Sequence, residues 1–383
     1  MDKKGIAEIK RTFKPDKTAI DQVVTVFVKV TDGDLEIVSF DRKTLLNMDD
    51  TEVHKYLEIA KQTLGGKLDK NLFNIDFSLE VEQEEDGSHA KLMKLRENRL
   101  MDNDFTFDFI EQLMGAYTDS NNYMVTLMHG TYDVPTKCSD GVTLDELDSV
   151  FDFIIGSIMP LKMEKAGMYL NPDTNKFETI PQKMIVDKPI NGFMFPAFND
   201  RATDIHQLVF FTKKADRIHP ELIDTLTGSK APVPAAIQKD IFSSIVKEVV
   251  GDTTFEEEKA IHDNIVSVIE NRAFGNDTNA ELSKDDTLKI LKNSIDTDID
   301  ETKFNDVYDQ SLRLYSSGFA LENIIDVSGF DVKMSDVKIK IAPDKTDLIK
   351  QVEIDGGKYF AIPVSRDVEI NGKPVVNAKW ENK

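Results

Sequence analysis

The sequence predicts an α+β fold: a central, mostly antiparallel sheet with an N-terminal strand–helix unit, a helical middle region and a small C-terminal β-unit. Three observations carry this. Runs rich in β-branched and aromatic residues cluster together instead of alternating regularly with helical segments, which argues against a doubly wound sheet. Isoleucines recur four residues apart at 237, 241 and 245 and again at 261, 265 and 269, the stripe of packed helices. After Gly329 short alternating runs resume, punctuated by Asp355-Gly356-Gly357 and Asn371-Gly372, which are turn signals between strands.

Taken in order, residues 3–13 pattern as a short amphipathic helix that stops before Pro15. Residues 22–30 and 35–40 read as two strands around Asp32-Gly33-Asp34. Asp49 or Asp50 caps a helix with the stripe Val53, Tyr56, Leu57, Ala60 and Leu64, and Gly65-Gly66 ends it. A strand near 72–79 leads into the acidic stretch 80–87, read as a solvated loop. Helices are expected at 89–100 and 104–117, and buried strands at 122–130 and 151–161, the latter ended near Pro160. A hairpin is expected over 167–181 with Asn171-Pro172-Asp173 at its turn, and the aromatic run from Gly192 and the strand at 205–213 complete the sheet. Helices continue at 284–294 and 301–316, and strands at 338–341, 348–354, 359–364 and 368–370. Residues 378–383, with Trp380, read as a frayed end. The expected organisation is an N-terminal unit at 1–82, a central sheet domain at 88–228, a helical region at 229–328 and a C-terminal β-unit at 329–377.

Composition bounds the function. The 383 residues are 40% hydrophobic and 30% charged, enough to bury a core. The formal charge of −22 repels phosphate backbones and anionic lipid, which disfavours nucleic-acid and membrane partners. The one cysteine, Cys138, excludes an internal disulfide and a multi-cysteine zinc site. No apolar leader or membrane-length apolar run occurs, so a cytoplasmic protein is expected.

The segment Gly-Phe-Met-Phe-Pro-Ala-Phe-Asn-Asp-Arg-Ala-Thr-Asp-Ile-His at 192–206 is the most suggestive stretch: an aromatic strand running into Asn199, Asp200, Arg201, Asp204 and His206. Asn199, Asp200 and Arg201 form a candidate binding corner, in which Arg201 either pairs with a neighbouring carboxylate or binds an anion. His129 with Asp133, and His206 with Asp204, form a candidate acid–base or divalent-metal cluster if their strands are neighbours, because histidine titrates near neutrality and carboxylates orient it. Neither histidine has a partner at the offsets of known metal motifs. Asp296-Thr-Asp-Ile-Asp-Glu fails as a calcium loop: Glu301 and Val307 stand where glycine and glutamate are needed, leaving Asp300 as a helix cap. No phosphate-binding glycine loop or serine-nucleophile elbow occurs, so no cofactor is expected beyond a possible divalent metal.

Several stretches carry a family resemblance: 3–15, Asn122-Tyr123, Tyr-Asp-Val-Pro at 132–135 with Lys137 and Asp140-Gly141, and Pro-Ala-Phe-Asn-Asp-Arg at 196–201. Gln238-Lys239 and Ile354-Asp355-Gly356 through Asn371-Gly372 belong to the same set. Together they resemble, over nearly the whole chain, a bacterial family defined as domain of unknown function 4317. Members of that family tend to carry cysteines near 156–160, where this chain has Gly-Ser-Ile-Met-Pro, which counts against a cysteine-based role. The resemblance implies a bacterial cytoplasmic source and no assigned activity.

With no recognised catalytic spacing, the leading expectation is a protein that acts by binding a protein partner or by self-association. The alternatives are a metal-dependent hydrolase or nuclease-like enzyme using His129, Asp133, Asp204 and His206, and a nucleoid-associated protein, which has a similar layout but matches no motif.

Overall fold

The computed structural model describes every residue except 16–19, 69, 120, 138–142, 217, 275–280, 317, 327–328, 365–367, 371–372 and 376–383. Cys138, Asp140-Gly141, the Asn371-Gly372 turn and the 378–383 end with Trp380 lie outside the described residues. The architecture is α+β and divides into two compact units, Met1–Ala236 with Leu314–Ser316, and Ile237–Arg313 with Ser317–Lys383.

The first unit is built on one antiparallel sheet. Helix α1 (Lys3–Thr12) starts where the Asp2 carboxylate accepts the Gly5 amide at 2.7 Å. Strands β1 (Ile20–Thr31) and β2 (Asp34–Thr44) form a hairpin whose turn, Asp32-Gly33, has both φ angles positive (52° and 94°), the geometry that matches strand twist. Helix α2 (Asp50–Thr63) is capped by Asp49, which accepts from the Glu52 amide at 2.9 Å. Strand β3 (Leu72–Asp76) precedes α3 (Leu79–Gln83), α4 (Ser88–Glu97) and α5 (Asn103–Ala116). Next come β4 (Tyr123–Lys137), β5 (Thr143–Met163), β6 (Gly167–Asn171), β7 (Lys176–Ile180) and β8 (Met184–Val186). Strands β9 (Asn191–Phe195), β10 (Ala197–Asn199), β11 (Ala202–Asp204) and β12 (Gln207–Thr212) follow, then α6 (Pro220–Thr227).

The sheet runs β2-β1-β4-β5-β9-β12-β3, with β8 paired to the far end of β5. Both faces are buried. On one, Ile6 and Ile9 of α1 and Leu57 and Ala60 of α2 pack on Val23, Met128, Ile155, Met194 and Val209. On the other, residues of α4, α5 and α6 such as Leu92, Phe109, Leu113 and Ile223 pack on Val24, Leu127, Ile154 and Phe210. Double coverage explains why 122–130 and 192–198 read as continuous apolar runs instead of alternating ones.

Several element bounds differ from the sequence expectation, three of them with a clear local cause. The acidic stretch opens as α3, because Ser78 caps it through the Val81 amide (3.4 Å) and Glu80 and Glu82 favour the positive end of a helix. Strand β4 runs on to Lys137 and β5 begins at Thr143, since each supplies the other's hydrogen bonds; the ladder shifts register beside Pro135, which has no amide to donate. Strand β5 also passes through Pro160, whose carbonyl accepts the Asp187 amide at 2.9 Å while the next amide, Leu161, bonds the Asn122 carbonyl at 2.8 Å.

The second unit contains α7 (Ala235–Val250) from Ile237 onward, α8 (Phe255–Phe274), α9 (Lys284–Ser294), α10 (Glu301–Ser311) and α11 (Leu321–Ile324). Ile245, Ile261 and Ile265 of the isoleucine stripes are buried with Phe242, Ile290 and Phe304. Asp300 caps α10 by accepting from the amides of Thr302 (2.9 Å) and Lys303 (3.2 Å). Among the described residues, six two-stranded pairs take up the two units' remaining strands. In the second unit these are β13 (Glu281–Leu282) with β14 (Phe319–Ala320), β15 (Phe330–Lys333) with β16 (Lys338–Ile341), β17 (Lys350–Ile354) with β18 (Gly357–Ala361), and β19 (Val368–Ile370) with β20 (Lys373–Val375). The fifth and sixth, both in the first unit, are β10 with β11 and β6 with β7.

Candidate functional site

The corner after β9 is built by a two-residue turn. Asp200 and Arg201, joining β10 to β11, both have positive φ (48° and 63°), the pattern of a hairpin turn usually filled by Asn-Gly or Asp-Gly. This conformation sends the Arg201 guanidinium to α1 and β4, where it donates to the Glu8 carboxylate and to the Pro135 carbonyl. The Tyr132 hydroxyl donates to the same Glu8 oxygen at 3.0 Å. Burial, then the Glu8 hydrogen bond, pushes the Tyr132 phenol up to about 12. Arg201 therefore pairs with Glu8, and not with the neighbouring Asp200 or Asp204 that its sequence position suggests. Asp204 is already engaged, accepting from Asn199 Nδ2 at 2.6 Å and from the His206 amide at 3.0 Å. Tyr132, Pro135, Asn199 and Arg201, singled out in the sequence, thus meet in one pinned corner with Glu8, which lies in the 3–15 stretch but is not among the candidate site residues.

His129 sits on β4, opposite Gln22 of β1 and Ile154 of β5, with its side chain fully buried. Its Nδ1 lies 2.6 Å from Asp21 and its Nε2 lies 2.8 Å from Asp152. A neutral imidazole offers one donor and one acceptor, so contact with a carboxylate at each nitrogen selects the imidazolium, which donates twice. Burial opposes that charge, and the hydrogen bonds His129 donates to Asp152 and Asp21 outweigh it, so the pKa stands above its ordinary value. Asp21 reaches His129 because the β1–β4 register shifts between Ile20 and Gln22. The aspartates that hold His129 are thus Asp21 and Asp152; Asp133 lies opposite Val150, four residues further along β4 and about 13 Å away at ordinary strand rise.

His206 lies in the turn before β12 with its side chain 67% exposed, and its Nδ1 is 2.7 Å from Glu82 of α3. That hydrogen bond raises its pKa above the ordinary value. Strands β5 and β9 intervene between β4 and β12, so three inter-strand steps of about 4.8 Å separate the two histidines' strands by roughly 14 Å. A metal bound at about 2 Å by each ring cannot bridge that gap. His129, Asp133, Asp204 and His206 are therefore not brought together, and among the described residues no group of three or more His, Cys, Asp or Glu is arranged to hold a metal ion.

A different feature stands out on the other side of β5. Beyond its pairing with β4, β5 continues to Met163 against β8, and residues 167–180 fold back as the β6–β7 hairpin. Leu170 lies opposite Phe177 and Met168 opposite Thr179 on one face, with Phe177 72%, Met168 70% and Leu170 53% exposed. On the other face, toward the turn, the polar groups bond one another: Glu178 accepts from Tyr169 (3.0 Å), Asn171 (2.9 Å) and, at the loop, Thr174 (3.1 Å). These bonds, Asn171 first, hold the Glu178 carboxyl below its ordinary pKa. Met163, Met184, Ile185 and Val186 at the base of the arm are exposed as well. The sequence marks this hairpin and its turn at Asn171-Pro172-Asp173, but nothing in the residues sets Met168, Leu170 and Phe177 apart from the apolar positions of a covered strand.

No helix among the described residues is long and apolar enough to cross a membrane. No curated protein and no solved structure matches the chain. The family model does: it spans residues 1–373, which include the Tyr132–Pro135 and Pro196–Arg201 motifs and the whole of the arm, and the chain belongs to the family described as domain of unknown function 4317.

Proposed function

We propose that this protein acts by binding, either to a protein partner or to a second copy of itself, and that the β5–β8 arm is its contact surface. The observation that carries this is the uncovered apolar face of Met168, Leu170 and Phe177. Scattered apolar residues on a surface are ordinary, but a contiguous set on one projecting element marks an interaction site. A two-stranded hairpin is marginal in water unless its apolar face packs on something. Two further points favour binding over catalysis. Both nitrogens of His129 are occupied by carboxylates, which leaves no lone pair for a substrate proton or a metal. The Arg201 guanidinium is likewise spent on Glu8 and Pro135, which suits a pinned corner better than an anion site.

The test is a Met168→Lys/Phe177→Lys double variant of the full chain. We expect it to melt like the parent while losing whatever association the parent shows, by sedimentation and by affinity capture from extracts of the source cell. A variant whose associations match the parent's in both assays overturns the assignment.

A further inference from the structure

The partner most consistent with this face is another copy of the same chain, an inference that rests on the binding function proposed above. We propose that the Met168–Leu170–Phe177 face of the β6–β7 hairpin packs on the same face of a second copy about a two-fold axis.

The first ground is composition of the face. Its four outward positions are Met168, Leu170, Phe177 and Thr179, none of them charged. A two-fold contact sets each residue against itself or its neighbours, so any charge on the face would meet its own like charge. This face contains no such penalty. It also offers no ionic feature by which a charged peptide or a nucleic acid would be recognised.

The second ground is the distribution of charge. Residues 161–188 contain Lys162, Lys165, Lys176, Lys183 and Lys188 against Glu164, Asp173, Glu178 and Asp187, a net of +1. The rest of the chain therefore carries −23 of the total −22. Two such bodies repel, and a contact between copies has to be made through a near-neutral element that projects from the body. The arm has that character: β5 spans 21 residues, and beyond Pro160 it pairs with β8 alone. Met163, Met184, Ile185 and Val186 at the arm's base are exposed large apolar side chains as well.

The third ground is the edge pattern. Among the described residues β6 and β7 pair only with each other, so both hairpin edges retain unpaired backbone groups. Face-to-face packing of two hairpins at sheet spacing, about 10 Å, covers the apolar faces and leaves those edges to water.

The decisive measurement is sedimentation velocity on the full chain across a wide concentration range at low and high salt. The expected result is a monomer–dimer equilibrium that tightens as salt rises, because screening weakens repulsion between the acidic bodies while the apolar contact persists. In Met168→Lys/Phe177→Lys the dimer weakens by about tenfold or more. A parent that stays monomeric throughout overturns the proposal, and so does a dimer that the double variant leaves intact. These failures separate from failure of the binding function. A monomeric parent that captures a specific protein lost by the variant leaves binding in place with a different occupant. A dimer intact in the variant leaves self-association in place at another surface. A monomeric parent that captures nothing the variant loses overturns both.

Discussion

His129 is the residue whose environment says most. It is a buried cation held between two carboxylates that are each about one third exposed (39% and 33%). Replacing it with leucine leaves Asp21 and Asp152 facing each other's charge without their shared donor. Complete burial would make that cost about 3–5 kcal/mol, and the exposure of the aspartates brings it to about 1–3 kcal/mol. The effect has a pH signature. The folded pKa of His129 is raised, so the stability it contributes is complete below the unfolded value of about 6.5 and is lost as pH rises through the raised folded value. Chemical denaturation across that window is expected to show the parent losing stability with rising pH and His129→Leu lacking that loss; parallel pH profiles would contradict the imidazolium assignment. Arg201 makes the second prediction at this scale. Its pair with Glu8 is 24% and 17% exposed, and Arg201→Ala is expected to cost about 1–3 kcal/mol. A double-mutant cycle with Glu8→Gln should return a coupling of about 1 kcal/mol or more, and additive losses would mean the pair carries no stability of its own.

At the scale of elements, the packing of α2 on the sheet depends on a missing side chain. A Cβ on Gly192 of β9 would stand 2.5 Å from the Gly156 carbonyl oxygen and 2.6 Å from Thr63 Cγ2. Thr63 is fixed there by a buried 2.6 Å hydrogen bond between its Oγ1 and Ser157 Oγ. Gly192→Ala therefore has to push α2 off the strand, at about 1–3 kcal/mol, read as a lower melting temperature with the fold retained. An unchanged melt would show that α2 yields freely. On the arm the expectation is the reverse. Met168 and Phe177 are exposed, so lysine at both should leave the melting temperature of the dissociated protein within about 0.5 kcal/mol equivalent of the parent, the usual range for surface changes. Destabilisation beyond that would mean the hairpin face is packed within the chain.

For the whole molecule, the net charge of −22 sets the response to salt. Self-repulsion disfavours the compact state, and counter-ions screen it over about 10 Å at 0.1 M. The melting temperature should rise between low and moderate ionic strength. A fall would show that attractive pairs such as Arg201–Glu8 outweigh the excess of acidic residues.

Local sequence determined the elements and the fold class. The strand runs, the isoleucine stripes, the Asp49 and Asp300 caps and the turns at Asp32-Gly33 and 172–175 are each written within a few residues, where propensity and capping act. The family followed from short motifs spread over the chain, and the match over 1–373 bears it out. Only the tertiary structure decided which residues meet. His129 faces Asp21 and Asp152 because β4 lies between β1 and β5 and a register shift admits Asp21, while His206 lies three strands away and bonds Glu82. Arg201 reaches Glu8, 193 positions earlier, because two positive-φ residues aim it there. Strand order and register arise from global packing, and the inner strands of a doubly covered sheet read as equally apolar, so partners cannot be assigned from the pattern along the chain. The exposure of the β6–β7 hairpin face is a tertiary fact for the same reason: Met168, Leu170 and Phe177 alternate along the chain as apolar positions of any strand do, and only the fold leaves them 70%, 53% and 72% exposed.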